Sequence, residues 1–343
     1  MRRGRSQVVR SAPPIEVRPL GTAELAEWDA IVNLADSGTV YHDSRWLRHI
    51  AKAAGDRVHI KGVFLDGRLV GGIPLQVRKR GPLSLARRAF ATPYANPVFR
   101  DDLGGRTSMC VGRLFEDLAK SYSVVTVSGS PSALLPDFLG REWKVAQRAT
   151  YLLDISDTDE LWQRFGHQLR KKIRRAERRG IEIMSPCEPR IFFGLYTNTF
   201  ARQGLHTPIG SAGFTDLLRA LTGMNQARTY LARTADGVPI VARLVLFDER
   251  RVYCALSGAD FSVISGCTSE LLIWHIIKVS SETHSEMDLV GANIESISAF
   301  KRKFKGRLVH YQEATHFRSG FEKWLIRLYQ RRKKSRSSVS THE

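Results

Sequence analysis

Residues 266–311, GCTSELLIWHIIKVSSETHSEMDLVGANIESISAFKRKFKGRLVHY, put a long apolar helix, a short strand, a Gly-Asn turn and a basic-aromatic run into one passage. Thr268 or Ser269 followed by Glu270 marks a helix start. Leu271, Leu272, Trp274, Ile276 and Ile277 then give a helix over 268–283 that is apolar almost all round and therefore buried. MDLVGAN sets a strand end beside Gly291 and Asn293, and open α/β sheets bind ligands where strand ends splay. A helix over about 294–303 follows, with Phe300, Lys301, Phe304 and Lys305 alternating rings and ammonium groups at its exit. For Lys303 and Lys305 a plainer reading is cations offsetting the helix macrodipole.

Working outward, the second half opens with a strand at YLLDIS and a single helix over 159–179. Helices near 189–203 and 212–222 come next, then three strands, ARTYLART, PIVARLVLFD and RVYCALSG. The first half has helices starting near Thr22 and at 44–54, and VHIKGVFLDGRLVGGIPLQVRK reads as a hairpin turning at Asp66-Gly67. Gly71-Gly72 signals a bulge or close backbone approach, and Pro74 a sheet edge. A helix over 105–120 and a buried strand at 122–128 complete this half. DGVPIVARLVLF echoes DGRLVGGIPLQV, a weak internal repeat.

A chain of 343 residues is longer than one core usually covers. The reading is therefore a mixed α/β protein of two similar domains: a basic arm over 1–14, domains over 15–148 and 149–317, and a basic amphipathic helix and tail over 318–343. Cys110, Cys187, Cys254 and Cys267 have neither disulfide-scaffold nor zinc spacing, which predicts reduced structural thiols, no metal site and a cytoplasmic protein. The basic residues near the start precede no apolar stretch, and nowhere do 18 uncharged apolar residues run together; neither secretion nor a membrane span is expected.

Lys and Arg number 53 against 34 Asp and Glu, a net charge of +19, which points to polyanionic partners such as nucleic acid, anionic lipid or phosphorylated substrates. The densest run, QLRKKIRRAERRG, carries Arg170, Lys171, Arg174, Arg175 and Arg178 around an apolar stripe of Trp162, Phe165, Leu169 and Ile173. Two readings stand: a phosphate-binding surface, or a solvated helix whose basic stems shield the core. Likewise FEKWLIRLYQRRKKSRSS is either an interfacial helix touching anionic membrane through residues 318–336 or a helix capping the second domain.

The order of LRKKIRRAERRGI, DGVPIVARLVLF, YCALSGAD, LLIWHIIKVS, MDLVGAN and AFKRKF resembles the C-terminal half of the FemABX family and the broader FemAB-like group of GNAT acyltransferases. YHDSRWLRHI and VFLDGRLVGGIPL resemble that family's N-terminal pattern, so the likeness spans about residues 15–317. It implies two tandem GNAT-like domains and transfer of an acyl or aminoacyl group to an amine or hydroxyl of a cell-envelope acceptor, a peptidoglycan precursor, glycan or lipid. The donor would be a co-substrate, acyl-CoA, acyl-carrier protein or aminoacyl-tRNA, with no tightly bound cofactor. The family's Phe-Lys pair falls on Phe300 and Lys301, with Lys301 stabilising the developing oxyanion. Tyr94, Asn96, Arg202, Arg243, Tyr253, Ser257, Asn293 and Lys305 are candidate acceptor-pocket residues, and Tyr196 a further one; each has local packing as its plainer role. The chain departs from the family in two places. Residues 159–179 offer one helix where bridge-forming members carry a coiled-coil arm, and VISGCTSE does not spell the pyrophosphate turn of acetyl-CoA enzymes. A tRNA-dependent bridge aminoacyltransferase, an acyltransferase using a CoA or carrier-protein thioester, and a noncatalytic polyanion- or membrane-binding protein are the readings carried forward, for a cytoplasmic protein peripheral at the inner membrane face.

Overall fold

Local pattern first sets the elements. The computed structural model describes residues 14–133, 135, 136, 140, 142–262 and 267–324. Its first run is β1 (Ile15–Pro19), α1 (Leu25–Leu34), α2 (Ser44–Ala54), β2 (Arg57–Leu65), β3 (Arg68–Arg80), β4 (Leu83–Arg87), β5 (Val98–Phe99), α3 (Thr107–Ser121), β6 (Val124–Ser128) and β7 (Trp143–Asp154). Two helices follow, α4 (Thr158–Arg164) and α5 (His167–Arg178). The second run is β8 (Glu182–Met184), α6 (Pro189–Ala201), α7 (Ser211–Thr222), β9 (Ala227–Arg233), β10 (Pro239–Phe247), β11 (Val252–Ala259), α8 (Thr268–Ser281), β12 (Glu286–Asp288), α9 (Glu295–Arg302) and β13 (Arg307–Phe317).

From β1 and again from β8 the chain makes a strand, two helices, three antiparallel strands, a helix, a strand parallel to the third, and a long final strand. Asp66-Gly67 and Asp236-Gly237 turn the matching hairpins β2–β3 and β9–β10, so the echo in sequence marks a structural repeat. The sheet order is β1-β2-β3-β4-β6-β13-β7-β12-β11-β10-β9-β8, with β5 beside β3. The order exposes an exchange: β7 ends the first repeat yet pairs with β12 of the second, and β13 ends the second yet pairs with β6 of the first. β7 and β13 join each other from Trp143↔His316 to Leu152↔Arg307, which makes one continuous sheet. The expected boundary at 148/149 falls inside β7.

Among the described residues, three apolar cores stabilise this sheet. The first lies among α1, α2, α6 and α7 and joins Trp28 and Trp46 of the first repeat to Phe192, Phe214 and Tyr253 of the second. A second lies under α5 and α8 on the other face, and a third under α3. The repeats meet closely where a Cβ on Gly213 would lie 2.7 Å from the Ala53 carbonyl oxygen, so only glycine lets α7 cross α2 there.

Two expectations need correction. Helix 159–179 is broken at Phe165, whose ψ of 135° is extended, and Gly166 caps the next helix. The break lets the Phe165 ring pack 5.4 Å from Trp274 and 5.8 Å from Phe304 while Leu169 and Ile173 also face inward. Pro74 does not lie on an edge strand, because β3 is internal. It occupies the interval between the β5 pairing at Gly71-Gly72 and the β4 pairing that starts at Gln76, where β3 has no strand partner on that side. Gly71 and Gly72 show the expected close approach, since a Cβ on Gly72 would sit 2.4 Å from the Lys61 carbonyl oxygen. Residues 1–13 of the basic arm and 325–343 of the tail lie outside the described residues. All four cysteines are buried, and no disulfide joins any of them among the described residues.

Candidate active site at the opening between β11 and β12

The parallel pair β11–β12 is short, matching only Val252 with Met287 and Tyr253 with Asp288. Beyond it the strands part for a local reason: the Leu289 and Ala292 amides bond to the carbonyls of Tyr151 (3.0 Å) and Ala149 (2.7 Å), so the chain follows β7 and leaves β11. A bulge in β11 around Ala255 widens the separation. Val290 and Gly291 turn here with φ of 51° and 78°. Such openings, at the carboxyl ends of parallel strands, are where open sheets take ligands.

Asp288 fixes this turn. Its fully buried carboxylate accepts hydrogen bonds from the Tyr94 hydroxyl (2.5 Å), the Thr150 hydroxyl and the Val290 amide (2.7 Å). Burial raises its pKa, opposed by these donors and by nearby Lys301. Tyr94 comes from the first repeat, so a buried bond between repeats shapes the opening of the second. Replacing Tyr94 with Phe should lower stability by about 1–3 kcal/mol by leaving the carboxylate short of a donor; an unchanged urea midpoint would show that the bond contributes nothing.

Lys301 projects from α9 and donates to the carbonyls of both Val290 and Gly291. An ammonium has three protons, so the third has no partner among the described residues. Burial pushes its pKa down to about 8, with Cys254 and Asp288 resisting and Arg243 adding to the depression. Arg243, on β10, has its Nε buried without a partner among the described residues and is likewise depressed by burial. Near it, Glu270 in the first turn of α8 is paired with Lys172 (3.3 Å) and Lys303 (3.4 Å), and the Thr268 hydroxyl is buried without a partner among the described residues. Arg243, Lys172 and Lys303 are thus gathered around Glu270 at the start of α8.

On the side of the first core, the opening leads into a pocket of about 360 Å³ lined by Arg88, Arg148, Gly291, Asn293, Tyr311 and Glu313. The first repeat has the corresponding parallel pair, β4–β6, matched only at Leu85↔Val124 and Ala86↔Val125. There the space is filled by the chain itself: Ala95 bonds to Ser128 (3.1 Å), and Tyr94, Ala95 and Asn96 are all buried.

Of the residues expected at the site, Lys301 and Asn293 flank the opening, Asn293 accepting from the Ala149 amide (2.9 Å). Arg243 and Ser257 face each other across β10 and β11, and Phe300 packs on Phe304 at 5.7 Å. Tyr94, Asn96 and Tyr253 do not line the pocket. The Tyr94 and Tyr253 hydroxyls are held by Asp288 and Asp248, as buried hydroxyls require, and the Asn96 amide nitrogen donates to the Ser37 and Pro97 carbonyls while its Oδ1 is buried without a partner among the described residues. Tyr196 is buried against Phe200 and Phe214. Arg202 lies over the Phe261 ring, 4.1 Å from its centroid, and Lys305 is exposed with its carbonyl bonded to Arg164; neither lines the pocket. The sequence reading missed Arg88, Arg148, Tyr311 and Glu313, which nothing local connects. It also missed Asp288, whose signal was a lone acid inside an apolar strand.

Residues 163–302 match the family model of the acetyltransferase (GNAT) domain. Among curated proteins the sequence finds no match. Among solved structures, FemX superposes with a TM-score of 0.66 at 14% identity over 87% of this chain and 96% of that one. The C-terminal domain of a putative lysylphosphatidylglycerol synthetase from Agrobacterium fabrum gives 0.56 at 11% identity, over 90% and 96%. A tandem GNAT protein from the clavulanic acid biosynthesis pathway gives 0.54 at 14%, over 89% and 99%. The FemAB-like order of elements in the sequence and the repeated fold agree, and with a GNAT-type domain matched over 163–302 the chain is an acyltransferase on a tandem GNAT fold.

Proposed function

We propose that the chain transfers an acyl or aminoacyl group from an ester or thioester donor to an amine or hydroxyl of a cell-envelope acceptor, with bond exchange at the opening between β11 and β12. The supporting observation is the Lys301 ammonium, fixed beside the opening by two backbone carbonyls with one proton uncommitted among the described residues. The acceptor lone pair attacks the donor carbonyl, the oxygen takes the negative charge beside Lys301, and collapse expels a thiolate or alkoxide. The acceptor proton passes to the leaving group through solvent. A preorganised cation stabilises the charged state more than the neutral donor, which is the differential binding that lowers a barrier. Kinship of fold with a putative lysylphosphatidylglycerol synthetase domain supports an aminoacyl donor and a lipid acceptor; the GNAT-type domain supports a CoA-type thioester. The reading is tested by offering labelled acyl-CoA, acyl-carrier protein and aminoacyl-tRNA in turn with envelope lipids and precursors. Label should move from one donor class to an acceptor, and no transfer from any of the three would overturn it.

Lys171, Arg174, Arg175 and Arg178 stand exposed on α5, with Arg170 half-buried beside Gln163, which supports a polyanion-facing surface for an RNA-borne donor. Reversing the charge of Arg170, Arg174 and Arg178 should flatten the salt dependence of tRNA binding by about 0.7–0.9 logarithmic units for each phosphate no longer neutralised. An unaltered slope would leave α5 as a solvated face. No described helix is long and apolar enough to cross a membrane. Phe321 and Trp324 are exposed and stacked at 6.0 Å, which supports peripheral membrane contact through residues 318–336, most of which lie outside the described residues.

A further inference from the structure

We propose that the pocket beside the opening selects an acceptor bearing an oxyanion, phosphate or carboxylate, through Arg88 and Arg148. The proposal rests on the transferase reading above and names the chemistry of its acceptor. Glu313 lies behind both guanidinium groups. Its Oε1 accepts from Arg148 Nε (3.1 Å) and Nη2, and its Oε2 lies 3.6 Å from Arg88 Nε and accepts from the Ser128 hydroxyl (3.3 Å). Arg88 Nη1 is also fixed, on the Thr92 carbonyl (3.2 Å). The Glu313 side chain is 13% exposed, while those of Arg88 and Arg148 are 43% and 39% exposed. The carboxylate therefore sits deep and the arginines face the pocket.

Two cations against one anion leave a unit of positive charge. Arg88 Nη2 and Arg148 Nη1 have no partner among the described residues. Planar guanidinium groups held in this way match the paired oxygens of phosphate or carboxylate, giving short charge-assisted bonds. The arrangement depends on the strand exchange: Arg148 is on β7, Glu313 on β13, and Arg88 just past β4. Tyr311 lies directly across from Arg148, and Glu313 directly across from Ser128. Gly291, which forms part of the same wall, presents no side chain between the arginines and the opening.

The test is calorimetric titration of the full chain with inorganic pyrophosphate and, separately, succinate at about 150 mM salt, where long-range attraction is screened. Three proteins are compared: the native chain, Arg88→Met/Arg148→Met, and the charge-matched Arg48→Met/Arg219→Met, two exposed arginines on α2 and α7. The pocket variant should weaken saturable binding by at least about tenfold and the α2/α7 variant by less than about twofold. Pyrophosphate preference assigns a phosphate and succinate preference a carboxylate. Equal affinity in all three proteins, equal loss in both variants, or no saturable binding by the native chain would each overturn the proposal. Because binding is read without turnover, a protein that binds the anion but shows no transfer keeps this site and loses the transferase reading. Both arginines are substantially exposed, so the variants should fold, which a cooperative melt verifies.

Discussion

Lys301→Met is expected to cut turnover by about a hundred- to a thousandfold, about 3–4 kcal/mol of lost transition-state stabilisation, with KM little changed. The reason is geometric. The ammonium is anchored before substrate arrives, so little reorganisation accompanies charge development. A rise in KM at constant kcat would instead reduce Lys301 to a clamp on the Val290–Gly291 turn. The native rate should also fall as pH rises through about 8, where the buried ammonium loses its proton. Stability moves the opposite way. The unfolded lysine holds its proton to about 10.5, so between the two values the unfolded chain binds more protons and unfolding becomes harder as pH increases. In Lys301→Met both arms should vanish, which pH–rate profiles and denaturation at pH 7 and 10 would verify.

The second large effect concerns a strand remote from that lysine. A chain ending at Gly306 should lose cooperative folding in both repeats. β13 fills the space between β6 and β7, and its removal leaves two unpaired edges inside the sheet. It also removes Tyr311 from the core shared by the repeats and Ala314 from the core under α3. Circular dichroism should show no sharp melt, and the protein should aggregate. A single transition near the native midpoint would contradict this account of the sheet.

Elements with strong local patterns were legible in the sequence. The helix over 44–54 matches α2, and the passage from 268 gives α8, β12 and α9 in order with ends off by up to three residues. The break at Gly166 was also written there, since glycine inside a helix costs about 1 kcal/mol relative to alanine, but the apolar stripe runs through it and hides the turn. The exchange of β7 and β13 could not be read, because periodicity is local and the pairing joins Glu313 to Ser128. The arginine pocket escaped for the same reason. Tyr94 and Tyr253 read in the sequence as candidate pocket residues with packing as the plainer role, because a tyrosine among apolar residues looks the same whether its hydroxyl meets a ligand or an internal carboxylate. Asp288 carried the corrective hint, as an acid in an apolar strand must find donors when buried.

The filled gap of the first repeat bears on how inactive alleles should be distributed. Tyr94 occupies the place that stays open in the second copy, and from there it holds Asp288 and the turn that Lys301 grips. A screen for loss of function should therefore return changes at 92–97 alongside changes at 288–301, although no substrate need touch the first group. Alleles ranked only by nearness to the reacting bond would be misfiled, and suppressors of a Tyr94 defect should arise across the repeat boundary, around Thr150 and Val290, rather than beside the original lesion.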